Sequence, residues 1–142
     1  MLTAKDILDT KGRDVWSVSP DTLVLDALKV MADKDVGAVL VCENGRLHGI
    51  FSERDYARKV VLMGRASREA PVKAVMSTHV VCVSPDKSVE ECMELMTDGR
   101  LRHLPVLDHK HVVGVVSIGD LVKATIDDRE FTIQQLQSYI AG

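Results

Sequence analysis

The sequence predicts an α+β fold: one unit used twice, its two copies related by an approximate twofold axis, followed by a C-terminal helix. Three observations carry this. First, Val18–Val60 is reproduced without a gap by Val83–Thr125 at a constant offset of 65, with eleven identities over 43 positions, among them Ser19/Ser84, Pro20/Pro85, Asp21/Asp86, Gly49/Gly114, Ser52/Ser117 and Asp55/Asp120. Second, each copy passes from helical to strand periodicity at the same places. Third, Ile126, Phe131, Ile133, Leu136 and Ile140 recur at roughly helical intervals in an otherwise polar tail. Two copies are too few for a solenoid, which stacks at least three. A pair instead implies two similar lobes, residues 1–65 and 66–127, with a helical tail over 128–142.

The lead-in, residues 2–10, reads as a short helix with Ile7 and Leu8 as its apolar pair, and residues 72–78 echo it weakly at an offset of 68. Three extra residues therefore lie within Lys11–Ser17, before the first copy. Ser19-Pro20-Asp21 and Ser84-Pro85-Asp86 combine a rigid φ with side chains that accept backbone N–H bonds, a turn that enters a helix. Behind them Val24, Ala27, Leu28, Met31 and Val89, Cys92, Met93, Met96 fall at i, i+3, i+4, i+7, a core stripe whose methionines need no cofactor to explain them. Ala38–Cys42 and Leu104–Leu107 are apolar runs followed by polar turns, and Leu47–Phe51 and Val112–Val116 complete two hairpins. Gly49 and Gly114 lie inside the second strands, where a glycine marks close approach of another backbone or a ligand. Helices begin near Glu53 and Ile118. Residues 61–71 are the linker candidate, and the tail needs an apolar partner on its own lobes or on a second chain.

With 142 residues, 46% of them hydrophobic but only 4% aromatic, the chain has material for an aliphatic core. A net charge of −3 gives no general field for nucleic acid or membrane, so an anionic ligand needs basic groups placed locally. Cys42, Cys82 and Cys92 lack metal-ligand spacing and read as reduced thiols in apolar stretches. No apolar run approaches the roughly 20 residues of a membrane span. The expected location is the cytoplasm.

Chemistry concentrates where the second strand of each copy ends, at Ser52-Glu53-Arg54-Asp55 and Ser117-Ile118-Gly119-Asp120. Taken alone, Ser-x-x-Asp ahead of a helix is a capping box. A helix N-terminus is also an anion site, where a serine hydroxyl can donate to phosphate and an aspartate can accept both hydroxyls of a ribose. Arg102 and His103, where the chain leaves a helix for a strand, read either as a solvated helix end that complements the dipole or as the positive charge a phosphate needs. The equivalent positions of the first copy are Gly37 and Ala38, a less basic site that Arg54 and Arg58 partly offset. Trp16 reads as edge packing, or as a ring to stack on adenine. His109 and His111 lie on an exposed turn and do not make a convincing metal site. Phosphate-loop, dinucleotide-loop, zinc-protease and nucleophile-elbow motifs are all missing, and no nucleophile comes with a base.

The duplicated order of Ser-Pro-Asp, amphipathic helix, strand, Gly-bearing strand and Ser-x-x-Asp, with Arg-His-Leu-Pro-Val in the second copy and Gly-Val-Val-Ser-Ile-Gly-Asp-Leu-Val closing it, resembles a tandem CBS (cystathionine β-synthase) domain pair of the stand-alone type, from about Ala4 to Thr125. The resemblance implies β-α-β-β-α units, a homodimer, and adenosine ligands such as AMP, ADP, ATP, NAD(H) or S-adenosylmethionine in clefts between the units. It implies that Asp120 with Ser117, and Asp55 with Ser52, meet ribose and phosphate. It further implies that Arg102, His103 and Pro105 belong to the first of these sites, with Lys11, Val15 and Trp16 flanking its adenine, and that Arg54, Thr78 and Val81 belong with Asp55. Gly37-Ala38 departs from the pattern and puts the Asp55 site in doubt.

The expected function is a regulatory module, not an enzyme, that senses an adenine nucleotide and signals through dimer conformation or a protein effector. No obligatory cofactor, metal, nucleic acid or membrane is expected. The competing reading is a structural or interaction homodimer whose Ser-x-x-Asp motifs are only helix caps.

Overall fold

A computed structural model of the chain describes residues 1–141. The chain forms two compact units: a continuous one, Val15–Val80, and a split one that joins Met1–Asp14 to the residues from Val81 onward. These units do not coincide with the linear repeats. Each takes the body of one repeat and the lead-in of the other.

In the continuous unit, β1 (Ser17–Val18) runs parallel to β2 (Ala38–Glu43), which pairs antiparallel with β3 (Arg46–Ser52). One helix of the split unit, α1 (Ala4–Lys11), precedes these in the chain, and α2 (Val24–Lys34) connects β1 to β2. The split unit carries α4 (Val89–Gly99) and the antiparallel pair β4 (His103–Asp108) and β5 (His111–Ser117). Its counterpart of β1 shrinks to a single parallel bridge, Val83 to Val106. Both hairpins turn on two residues of positive φ, Asn44-Gly45 and His109-Lys110, which matches the twist of the flanking strands. Both also shift register at the equivalent step, after Val41 and after Val106.

The same bonds dock the lead-in onto the body in each unit. The Ala4 and Lys5 amides donate to the carbonyls of Lys87 and Pro85, as the Val72 and Lys73 amides donate to those of Thr22 and Pro20. In return the Val89 amide donates to Leu2, and that of Val24 to Ala70. First-turn amides have no partner inside their own helix, so these carbonyls meet a need each helix end creates. Leu8 packs on Gly114 and Met76 on Gly49, so the two strand glycines exist for the close approach of the lead-in.

Several local readings change. The Ser-Pro-Asp turns form, with Thr22 and Lys87 amides donating to Ser19 and Ser84, but the residues capping α2 and α4 are Leu23 and Ser88. Ser88 accepts from the Glu91 amide, whereas Leu23 cannot cap, and carbonyls of Ser67 and Ala70 serve the first amides of α2 instead. Residues 61–71 carry the chain between the repeats and also complete a helix end. The second lead-in forms only one 3-10 turn, Val72–Ala74, because Pro71 removes a donor where Thr3 builds a capping box with Asp6. Beyond β3, α3 (Glu53–Asp55) loosens into a π-helical segment, Tyr56–Val61. By contrast α5 runs unbroken from Ile118 to Ala141, so the closing helix of the second repeat and the tail are one element.

Each unit has its own aliphatic core. Val24, Ala27, Met31, Val39, Val41, Phe51, Val60, Val72 and Val75 fill one. Ala4, Ile7, Leu8, Val89, Cys92, Met96, Leu104, Val106, Val116 and Leu121 fill the other.

Candidate functional site

Strand β5 ends at Ser117 and α5 begins one residue later, so the first-turn amides of a 24-residue helix face the strand end. A capping box closes the turn. The Ser117 amide donates to Asp120 Oδ2 at 2.8 Å, and the Asp120 amide donates to Ser117 Oγ at 3.1 Å. From the C-terminal end of α1, Lys11 Nζ reaches the same Oδ2 at 2.6 Å and the Val115 carbonyl at 2.8 Å. Burial alone would raise the Asp120 pKa, but the Lys11 ammonium and the Ser117 amide outweigh it and hold the carboxyl below its ordinary value. Asp120 is half-buried, so this ionised group still faces solvent.

The same turn gathers three of the predicted basic and strand residues. The Ile118 amide donates to the Arg102 carbonyl at 2.9 Å, which fixes Arg102 beside the helix start with its side chain exposed. His103 lies directly across the strand pair from Ser117, half-buried. Pro105 is buried two residues on, its carbonyl accepting from Val83. Lys11, Arg102, His103, Pro105, Ser117 and Asp120 therefore all belong to the split unit. Val15 and Trp16 belong to the continuous one. Trp16 packs against that unit's core, with Lys34 Nζ 4.5 Å from the ring centroid.

In the continuous unit the equivalent turn is closed more completely. The Ser52 amide and hydroxyl both donate to Asp55 Oδ2 at 3.0 Å, and the Asp55 amide donates back to Ser52 Oγ. The other oxygen, Oδ1, accepts the Ser77 hydroxyl at 2.9 Å and pairs with Lys59 Nζ at 3.1 Å. Ser77 is itself pinned, exchanging two backbone bonds with Ile50. Asp55 is 7% exposed. Arg54 is half-buried and Thr78 exposed in this unit, while Val81 belongs to the split unit, where it packs against the core.

Sequence reasoning missed Ser77 and Lys59. Lys59 was legible as the i+4 partner of Asp55, but Ser77 required knowing that residues 72–78 dock onto β3. Among the described residues no group of His, Cys, Asp and Glu is arranged to hold a metal ion, and no helix is long and apolar enough to cross a membrane. Burial keeps the thiols of Cys42, Cys82 and Cys92 protonated by raising their pKa values.

Comparison with known proteins agrees with this architecture. The CBS domain model matches residues 4–62 and 72–127. The chain is 39% identical, over 99% of its length and 72% of the relative's, to the CBS domain-containing protein CBSX3, mitochondrial, of Arabidopsis thaliana. A solved putative signal-transduction protein with CBS domains from Burkholderia ambifaria superposes with a TM-score of 0.87 at 48% identity, covering 89% of this chain and 95% of that one. The CBS domain pair of protein MJ0100, solved with 5-methylthioadenosine and S-adenosyl-L-methionine, shares the fold with a TM-score of 0.80 at 20% identity, covering 90% and 98%. The chain, with two matched repeats built by the same docking bonds, belongs to the CBS domain family.

Proposed function

We propose that the chain is a regulatory module that binds an adenine nucleotide or related adenosine ligand at the Ser117–Asp120 turn and signals through its homodimer or a protein effector. The observation that carries this is the Asp120 carboxylate: ionised, half-buried and at the start of a long helix, with Lys11 and Arg102 as the local positive charge an acidic chain needs. The carboxylate offers acceptors to a ribose diol, and the Ser117 hydroxyl and Arg102 offer donors to phosphate. The Asp55 turn is the weaker candidate, because internal donors engage both of its oxygens. Binding would act by population shift, which requires the ligand to favour one arrangement of the chain over another. No catalytic step is assigned. The half-buried or buried free thiols suit a reducing compartment, consistent with the cytoplasm.

Isothermal titration with AMP, ADP, ATP, NADH, S-adenosylmethionine and methylthioadenosine tests the reading, on the parent chain and on Asp120→Ala. Micromolar binding of one ligand, lost in Asp120→Ala, is the expected result. Absence of binding by all six would sink it. The exposed apolar side chains of α5 then favour the second reading, an interaction homodimer without a physiological ligand.

A further inference from the structure

The sequence leaves two partners open for the tail, its own lobes or a second chain, and in the structure much of its apolar surface is open. Among the described residues Val122, Ile126, Ile133, Leu136 and Ile140 of α5 are 44–82% exposed. They are not scattered. With Gly119 and Arg129 they occupy every a and d position of three heptads, with Gly119, Ile126, Ile133 and Ile140 at a, and Val122, Arg129 and Leu136 at d. Such a stripe is the seam of a coiled coil, and isoleucine at three of its four a positions, with Leu136 at one of its three d positions, favours two parallel strands.

We propose that α5 pairs in parallel and in register with α5 of a second copy, so that this stripe is the dimer surface of the protein. The inference rests on the homodimer reading above and names the face that reading leaves open. Charge supports the parallel choice. A d residue inserts beside the e residue of the facing helix, which places Arg129 of each chain next to Glu130 of the other, two opposite-charge contacts by symmetry. An antiparallel pairing that keeps the apolar layers facing, with Ile126 opposite Leu136, instead brings the two Glu130 side chains together. Arg129 at the seam weakens the pair while fixing its register, as a single polar core position does.

Sedimentation of the full chain, of Ile133→Asp and of Arg129→Leu tests this, with Leu136→Cys as an oxidative cross-linking probe against the parent chain. The expected results are a dimer, at least a tenfold weaker dimer for Ile133→Asp, a tighter one for Arg129→Leu, and a disulfide-linked dimer for Leu136→Cys. Tightening by Arg129→Leu counts only where the cooperative melting transition is retained, which separates seam pairing from association of misfolded chains. A parent dimer indifferent to both substitutions overturns the α5 assignment but leaves the homodimer reading standing. A monomeric parent overturns both. Cross-linking of Ile126→Cys only to Leu136→Cys in a mixture of the two overturns the parallel register.

Discussion

The two Ser-x-x-Asp turns share their identities, capping bonds and place in the fold, yet differ in what completes them. Asp55 accepts donors on both oxygens, from Ser52, Ser77 and Lys59, and is nearly sequestered. At Asp120 the Ser117 amide and Lys11 converge on one oxygen, and the group stays half-exposed. The position equivalent to Ser77 is Asp9, which pairs with Lys5 and Arg13 rather than with the turn. Duplication thus supplied two copies of one cap, and residues outside the motif decided which became a closed structural knot and which kept a carboxylate for outside use.

The widest separation should come from the two alanine substitutions. Asp55→Ala removes a buried carboxylate that accepts from Ser52 and Ser77 and pairs with Lys59, and should cost about 2–3 kcal/mol of unfolding free energy, chiefly the lost charge-assisted hydrogen bonds. Asp120→Ala should cost only about 1 kcal/mol, the value of a cap, while removing ligand binding. Denaturant unfolding and titration of both variants check the pattern, and equal stability losses would erase the distinction.

Next come the glycines. A methyl group at Gly49 would sit 2.7 Å from the Ser77 carbonyl as well as from Met76 Sδ, whereas at Gly114 the nearest atoms all belong to the Leu8 side chain. Gly49→Ala must move backbone that holds Asp55, and should cost about 3 kcal/mol. Gly114→Ala should cost about 1–3 kcal/mol, and part of that loss should vanish when it is combined with Leu8→Ala, which leaves room for the added methyl. Thermal melts of the single and double variants read this directly.

The smallest effect belongs to Lys11→Met. Its ion pair with Asp120 is partly exposed, so the loss at neutral pH should be under about 1 kcal/mol. Because the folded-state pKa of Asp120 is depressed, its stabilisation is present above the unfolded carboxylate pKa of about 3.9 and disappears as pH falls through the lower folded value. The gap between parent and Lys11→Met should therefore close in acid. A gap that persists when Asp120 is protonated would place the role of Lys11 in its bond to the Val115 carbonyl.

Much of this was legible beforehand. The offset of 65 aligned the hairpins, the two glycines and the two caps, since identities and periodicity record local structure. The assembly of each unit from opposite repeats was not, because the lead-in echo runs at a different offset and its bonds are backbone to backbone, which carry no residue signature. For the same reason nothing in residues 61–71 signalled that, besides linking the repeats, their carbonyls serve α2. Lys11, Arg102, His103, Pro105, Ser117 and Asp120 fall in one unit. Trp16 belongs to the other unit.

The split unit also sets an order of events during synthesis. The continuous unit is complete once residue 80 has left the ribosome, and all its contacts can form without waiting. Helix α1 precedes the continuous unit in the chain but finds Gly114 and Asp120 only about a hundred residues later, so Leu8 and Ile7 wait uncovered while that unit is made. A segment made before the continuous unit thus finds its place only after that unit is finished.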